Sequence, residues 1–394
     1  MSFAEPKPQP VPAVEAKAEK LRDLPLDFIR GVAIFFMVTD HLLFVSGYSF
    51  FTRERFGMVT GAEIFVLISG VLIGHLYKFK ILKRGFKSAS VGLLRRAIQL
   101  YTVCLSLSVS VFLFSLIPHV NTKLWTTGGG MMNLREAIHF FGWKHLIIQT
   151  LLLHNGPLRM NVIGLYVILL GAAPIAMWFL VKGRGGLLLL ASGLVWAINL
   201  KLEARVIATS FDNVFRVLSW QFLFVIGMVA GYYREAIKAF FSTKHGKWVT
   251  IGVITLAAVM CFIALNNPDT GLPTWARLHV LSHHQFHRIY QKLFSRKTLA
   301  PGRMLNVLCL FSVAYIALKT YWPYAQKTMG WFFVTIGQAS LYVYILHAII
   351  LQAVYQIHGL DNEHVLLNTA VATGVLFMLW FMTRKKLLFW LIPR

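Results

Sequence analysis

About ten apolar runs, each near the length that crosses a bilayer, follow one another along this chain, and short basic clusters separate them. A hydrocarbon core about 30 Å thick takes about 20 residues of helix. Backbone facing lipid must satisfy its own N–H and C=O groups, so these runs are expected to be α-helices. Spans are predicted at Leu24 to Tyr48, Val59 to Lys78, Gly92 to Ile117, Asn161 to Val181, Leu187 to Leu200, Leu218 to Tyr233, Trp248 to Leu265, Pro301 to Lys319, Trp331 to Ile357 and Val365 to Phe381. The fifth is short enough to need Gly185 and Gly186. With 57% hydrophobic and 14% charged residues, the chain in water would expose large apolar patches, so lipid is its natural solvent.

The formal net charge of +24 does not point to nucleic acid, because the basic residues fall in clusters on alternate connections. Lys78, Lys80, Lys83, Arg84, Lys87, Arg95 and Arg96 form one cluster, Lys182 and Arg184 a second, and Arg234, Lys238, Lys244 and Lys247 a third. The positive-inside rule makes these loops cytoplasmic, and Arg384, Lys385 and Lys386 put the C-terminus with them. The fold class expected is all-α: a polytopic integral membrane protein whose helices surround a central tunnel, with both termini cytoplasmic. Residues 1–22 read as a disordered tail and 23–394 as a single transmembrane domain. The longer connections Pro118 to Met160 and Asn266 to Ala300 fall outside, and Leu146 to His154 reads as re-entrant or interfacial. Cys104, Cys261 and Cys309 lie in separate apolar runs and show neither disulfide nor metal spacing.

An ionisable side chain at membrane depth is costly unless paired or hydrated, which makes each one a candidate site. Asp27 and Arg30 stand one turn apart, as an ion pair on one helix face would. His41 follows Arg30 by eleven residues, on nearly the same azimuth and roughly 16 Å further along the helix axis. Asp40 points away from that stripe by about 100°. Glu63, near the outer end of the antiparallel second span, is at the right depth to orient the His41 imidazole. A carboxylate on one imidazole nitrogen leaves the other as a general base. His41, Asp40 and Glu63 are therefore the catalytic candidates, and Asp27 reads equally as a helix-dipole partner.

Arg30, Arg95, Arg96, Lys83 and Arg84 are candidates for gripping the phosphates of a cytosolic donor substrate, against a plainer role as positive-inside anchors. Asp27, His347, Tyr344, Trp220 and Lys297 are candidates for the acceptor cavity, with a helix-to-helix hydrogen bond the plainer reading of His347. Trp220 reads equally as an interface anchor. His279, His283 and His287 recur at helical spacing within Leu278 to Leu293, yet no neighbouring acid or cysteine supports a metal. That run is expected to be an interfacial amphipathic helix, with Arg296 and Lys297 beyond it near the acceptor. No metal and no permanently bound cofactor is expected.

Leu26-Asp27-Phe28-Ile29-Arg30-Gly31, Asp40-His41, Ala62-Glu63-Ile64-Phe65-Val66-Leu67-Ile68-Ser69-Gly70 and Trp220-Gln221-Phe222-Leu223-Phe224-Val225-Ile226-Gly227 resemble blocks of the OpgC family, within the wider class of type 3 membrane acyltransferases. Gly164-Leu165-Tyr166, Lys297-Thr298-Leu299-Ala300-Pro301 and Gly337-Gln338-Ala339-Ser340-Leu341-Tyr342-Val343-Tyr344 extend the resemblance to nearly the whole chain. What it implies is transfer of a succinyl group from cytosolic succinyl-CoA to glucose hydroxyls of an osmoregulated periplasmic glucan, at the bacterial inner membrane, with His41 as base. Partners implied are acyl-CoA, the glucan and the lipid bilayer, with a homodimer or glucan-biosynthesis proteins as further candidates. The residues also allow a proton-coupled transporter using Asp40, Glu63 and His41, or a non-catalytic partner of a glucan synthase.

Overall fold

The computed structural model describes residues 23–42, 44–115, 117, 134–154, 161–206, 209–271, 273–357, 360 and 363–392. The expected tail at 1–22 lies outside the described residues. Among the described residues every regular element is helical. Helix α1 (Leu24–His41) starts where the Asp23 carboxylate accepts from the Leu26 N–H at 3.3 Å, with a proline in its first turn. Asp23 also takes the Arg234 guanidinium and, at 2.8 Å, the Tyr315 hydroxyl, so three segments are tied at this end. The first span was expected to run to Tyr48. Instead α1 stops at His41, and Gly47–Phe50 forms a separate 3-10 turn closed by the Ser46 N–H on Ser49 Oγ.

Helix α2 (Gly61–Ser115) is broken at Gly85, whose φ of 77° suits glycine, giving arms over 61–84 and 86–115. Unbroken, its 55 residues would measure about 80 Å, more than twice a hydrocarbon core. The break corresponds to the second and third expected spans. There follow α3 (Leu134–Leu151, itself broken at Gly142), α4 (Asn161–Val181), α5 (Gly185–Leu202), the short α6 (Ser210–Val214), α7 (Val217–Tyr232), α8 (Arg234–Phe241) and α9 (Lys244–Ala264). The segment expected to be re-entrant, Leu146 to His154, is mostly the second half of α3.

Amphipathic α10 (His283–Leu293), α11 (Pro301–Thr320), α12 (Trp322–Gln338), α13 (Ser340–Val354) and α14 (Val365–Arg384) complete the chain. Six helical segments are long and apolar enough to cross a membrane, and a seventh if α12 and α13 count as one broken span. That pair corrects the ninth expected span, because the chain turns through 86° between them, at Ala339.

Small residues set the tightest crossings. Gly70 and Gly74 of α2 face Gly227 and Gly231 of α7, and a Cβ at any of the four would run into backbone of the opposite helix. This is the close backbone approach that small-xxx-small spacing permits inside a membrane. Gly31 and Gly337 do the same where α1 crosses the end of α12. In α4, 56% of the spanning window is buried, against 11% in α9, so α4 is central and α9 peripheral. The centre holds α1, the first arm of α2, α4, α7 and α13.

Candidate active site

Two cavities open among the central helices. The first, about 210 Å³, lies at the His41 end of α1 and is lined by Asp40, His41, Thr60, Asn161, Phe215, Arg296 and Tyr344 among others. The second, about 290 Å³, lies toward the Asp27 end and is lined by Arg30, Phe65, Tyr77, Lys80, Arg96, Tyr166 and Tyr344 among others. Val162 and Tyr344 line both, so the two spaces meet from opposite sides at one tyrosine.

At that meeting point His41 Nδ1 lies 2.9 Å from His347 Nε2, with the rings stacked. His347 is fully buried, and its Nδ1 faces the Tyr344 carbonyl. A carbonyl only accepts, so His347 carries its proton on Nδ1, and in the neutral ring Nε2 is then the acceptor. His41 must donate from Nδ1, which puts the His41 lone pair on Nε2. The plainer reading of His347, a helix-to-helix hydrogen bond, is thus what the structure contains, and that bond selects the tautomer a general base needs. The Tyr355 hydroxyl holds the His41 backbone carbonyl, which steadies the end of α1.

Glu63 was expected to orient His41 and does not reach it. It stands three residues into α2 and turns back to accept from the Thr60 N–H at 2.9 Å and from the Thr60 hydroxyl. Its other oxygen takes Arg303 Nε at 2.7 Å. Thr60-Gly61-Ala62-Glu63 has the spacing of a helix-start capping box, which explains the direction of the carboxylate. Arg303, fully buried on α11, also donates to Glu54 and, at 3.0 Å, to the Phe294 carbonyl, while Tyr290 bridges to Glu54 at 3.0 Å. Burial pushes the Tyr290 phenol above its ordinary pKa, so it stays an O–H donor. Arg303 is not among the candidates drawn from the sequence, although an arginine in the first turn of an apolar run is itself the signal.

Asp40 is half-buried at the first cavity, facing Thr52, Arg53 and Arg296 rather than the imidazole. Arg30 pairs with Asp27 at 3.7 Å as expected and donates to Ser340 Oγ where α13 begins. Asp27 itself lines neither cavity. Of the basic cluster, Arg96 and Lys80 line the second cavity, whereas Lys83, Arg84 and Arg95 are exposed and line neither. Lys297 also turns away, to an ion pair with Glu203 at 3.1 Å, and its neighbour Arg296 takes the cavity position. Trp220 is completely buried behind Phe215, edge to face at 4.6 Å, so it supports the cavity wall without lining it.

The family model described as OpgC protein matches residues 22–389. The chain belongs to the OpgC family. Membership makes it a glucan-modifying membrane protein, and the match covers every residue of both cavities. No curated protein and no solved structure matches the chain.

Proposed function

We propose that this OpgC-family protein is a membrane O-acyltransferase that moves a succinyl group from cytosolic succinyl-CoA to glucose hydroxyls of a periplasmic glucan, with His41 as general base. The observation that carries the reading is the Tyr344 carbonyl, His347 and His41 chain standing where the two cavities meet. The family match supports the glucan as acceptor.

In this reading the chain crosses the inner membrane ten times, both termini are cytoplasmic, and the second cavity faces the cytosol. That number takes α1, both arms of α2, α4, α5, α7, α9, α11, the broken α12 and α13 pair, and α14 as spans, with α1 and α7 added to the segments long and apolar enough by themselves. A space of about 290 Å³ is at the lower end of small-molecule pockets. It suits the acyl-thioester end of the donor, leaving the nucleotide outside. Arg96, Lys80 and Arg30 supply cationic partners for phosphate or for the succinyl carboxylate, with arginine favoured for its bidentate geometry.

The acceptor hydroxyl enters the first cavity, and His41 Nε2 takes its proton as the sugar oxygen attacks the thioester carbonyl. The C–O bond forms, the C–S bond breaks, and the departing thiolate receives that proton to leave as CoA. Purified protein in detergent, given succinyl-CoA with and without a periplasmic glucan and read by a thiol dye, tests this. Glucan-dependent CoA release that is lost in His41→Ala is the expected result. No release from folded wild type with succinyl-CoA or acetyl-CoA would overturn the transferase and favour a carrier.

A further inference from the structure

Far along the chain from this chemistry, the structure brings together three metal-ligating groups that the sequence keeps apart. The helical register expected for His279, His283 and His287 is only partly present, since α10 begins at His283 with Ser282 as its N-cap, leaving His279 outside it. His283 and His287 do stand one turn apart on α10, their Nε2 atoms 3.2 Å from each other. The acid that the sequence reading found lacking is Asp269, fourteen residues earlier: its oxygens lie 3.4 Å from His287 Nε2 and 4.0 Å from His283 Nε2. All three ligand atoms fall within 4.8 Å of one another.

A tetrahedral ion with bonds of 2.0–2.1 Å has ligand-to-ligand edges of about 3.3 Å. The His283–His287 and Asp269–His287 separations are already close to that, and the Asp269–His283 separation is the one that must shorten on binding. The supports are rigid. Asn267 Oδ1 takes the Asp269 N–H at 2.9 Å, Arg277 donates to the Pro268 carbonyl at 3.0 Å, and Asn266 Oδ1 accepts from the Val280 and Leu281 N–H groups. The Ser282 cap fixes the first turn of α10.

We infer that Asp269, His283 and His287 form a binding site for a zinc-like divalent cation, with a fourth position left to water. Two imidazoles and one carboxylate suit zinc and its first-row neighbours rather than magnesium or calcium, which take all-oxygen shells. The site clips the 266–282 connection onto α10. That helix carries Tyr290 to the Arg303 network and leads to Arg296 at the first cavity. It goes beyond the proposed transfer reaction and does not depend on it.

The test uses tag-free, full-length protein in detergent, stripped with chelator and titrated with Zn2+ by calorimetry, then with Co2+ by visible absorption. The expected result is one Zn2+ per chain, a tetrahedral Co2+ spectrum and a raised Tm on zinc addition. His283→Ala with His287→Ala should weaken binding by at least about 100-fold and Asp269→Asn by at least about tenfold, while His284→Ala, on the Arg288 side of the helix, should leave it unchanged. Zinc binding that survives the double substitution, or a wild type that takes up no stoichiometric metal, would overturn the site. The Co2+ spectrum of wild type is independent of whether any variant folds.

Discussion

Two groups of polar side chains lie inside this protein, and they differ in their access to the cavities. Around Arg303, Glu63 has both oxygens occupied, and the guanidinium is spread over Glu63, Glu54, Tyr290 and the Phe294 carbonyl. That cluster lines neither of the two cavities. Around His41 the bonds run in one direction, from His41 to His347 to a carbonyl, and His41 and Tyr344 both line cavity walls. Charge inside a membrane marks both regions equally. Access to a cavity separates the one that holds the fold from the one that can move a proton.

The largest expected effect falls on the group at the cavity wall. His41→Ala should lower turnover by about 10²- to 10⁴-fold, the usual worth of a general base, with little change in Tm. Equal losses in turnover and Tm would make His41 structural and erase the contrast. Arg303→Met should cost about 3–5 kcal/mol, because it strands the carboxylates of Glu63 and Glu54, and should show as loss of monodisperse protein in size-exclusion chromatography. Glu63→Gln, whose single amide oxygen can serve the Thr60 N–H or Arg303 Nε but not both, should cost less stability than Arg303→Met and spare turnover per folded molecule. A turnover collapse in well-folded Glu63→Gln would return that carboxylate to the chemistry.

His347→Phe sharpens the comparison from the other side. It keeps a ring in the same buried space but removes the acceptor for His41 Nδ1, so kcat should fall, by less than in His41→Ala, while KM for the acyl donor stays put. A KM effect alone would place His347 in binding. The smallest expected effects separate neighbours on α2: Arg96→Ala should raise the donor's KM by about ten- to a hundredfold, the worth of one charge-assisted hydrogen bond, whereas Arg95→Ala should be neutral. Equal effects of the two would mean the cluster acts through its field and not through the cavity wall.

Local patterns in the amino-acid sequence suffice to show that the chain is helical and membrane-embedded, where most of its helices lie, which family it resembles, and that Asp27, Arg30 and His41 share one helix. These patterns are apolar length, basic flanks and helical period. The errors came from contacts between helices. Glu63 was misjudged because depth in a second span says nothing of side-chain direction, though the Thr60 to Glu63 capping spacing was readable. The pairing of His41 with His347 joins positions 306 residues apart, and Asp269 meets His283 and His287 only after the 266–282 connection folds back. The 86° turn at Ala339 broke an apolar run that no proline or glycine at that residue announces. Tertiary packing decided these, because hydrogen-bond partners and cavity walls are chosen by which helix faces meet, and one-dimensional periodicity carries no record of that.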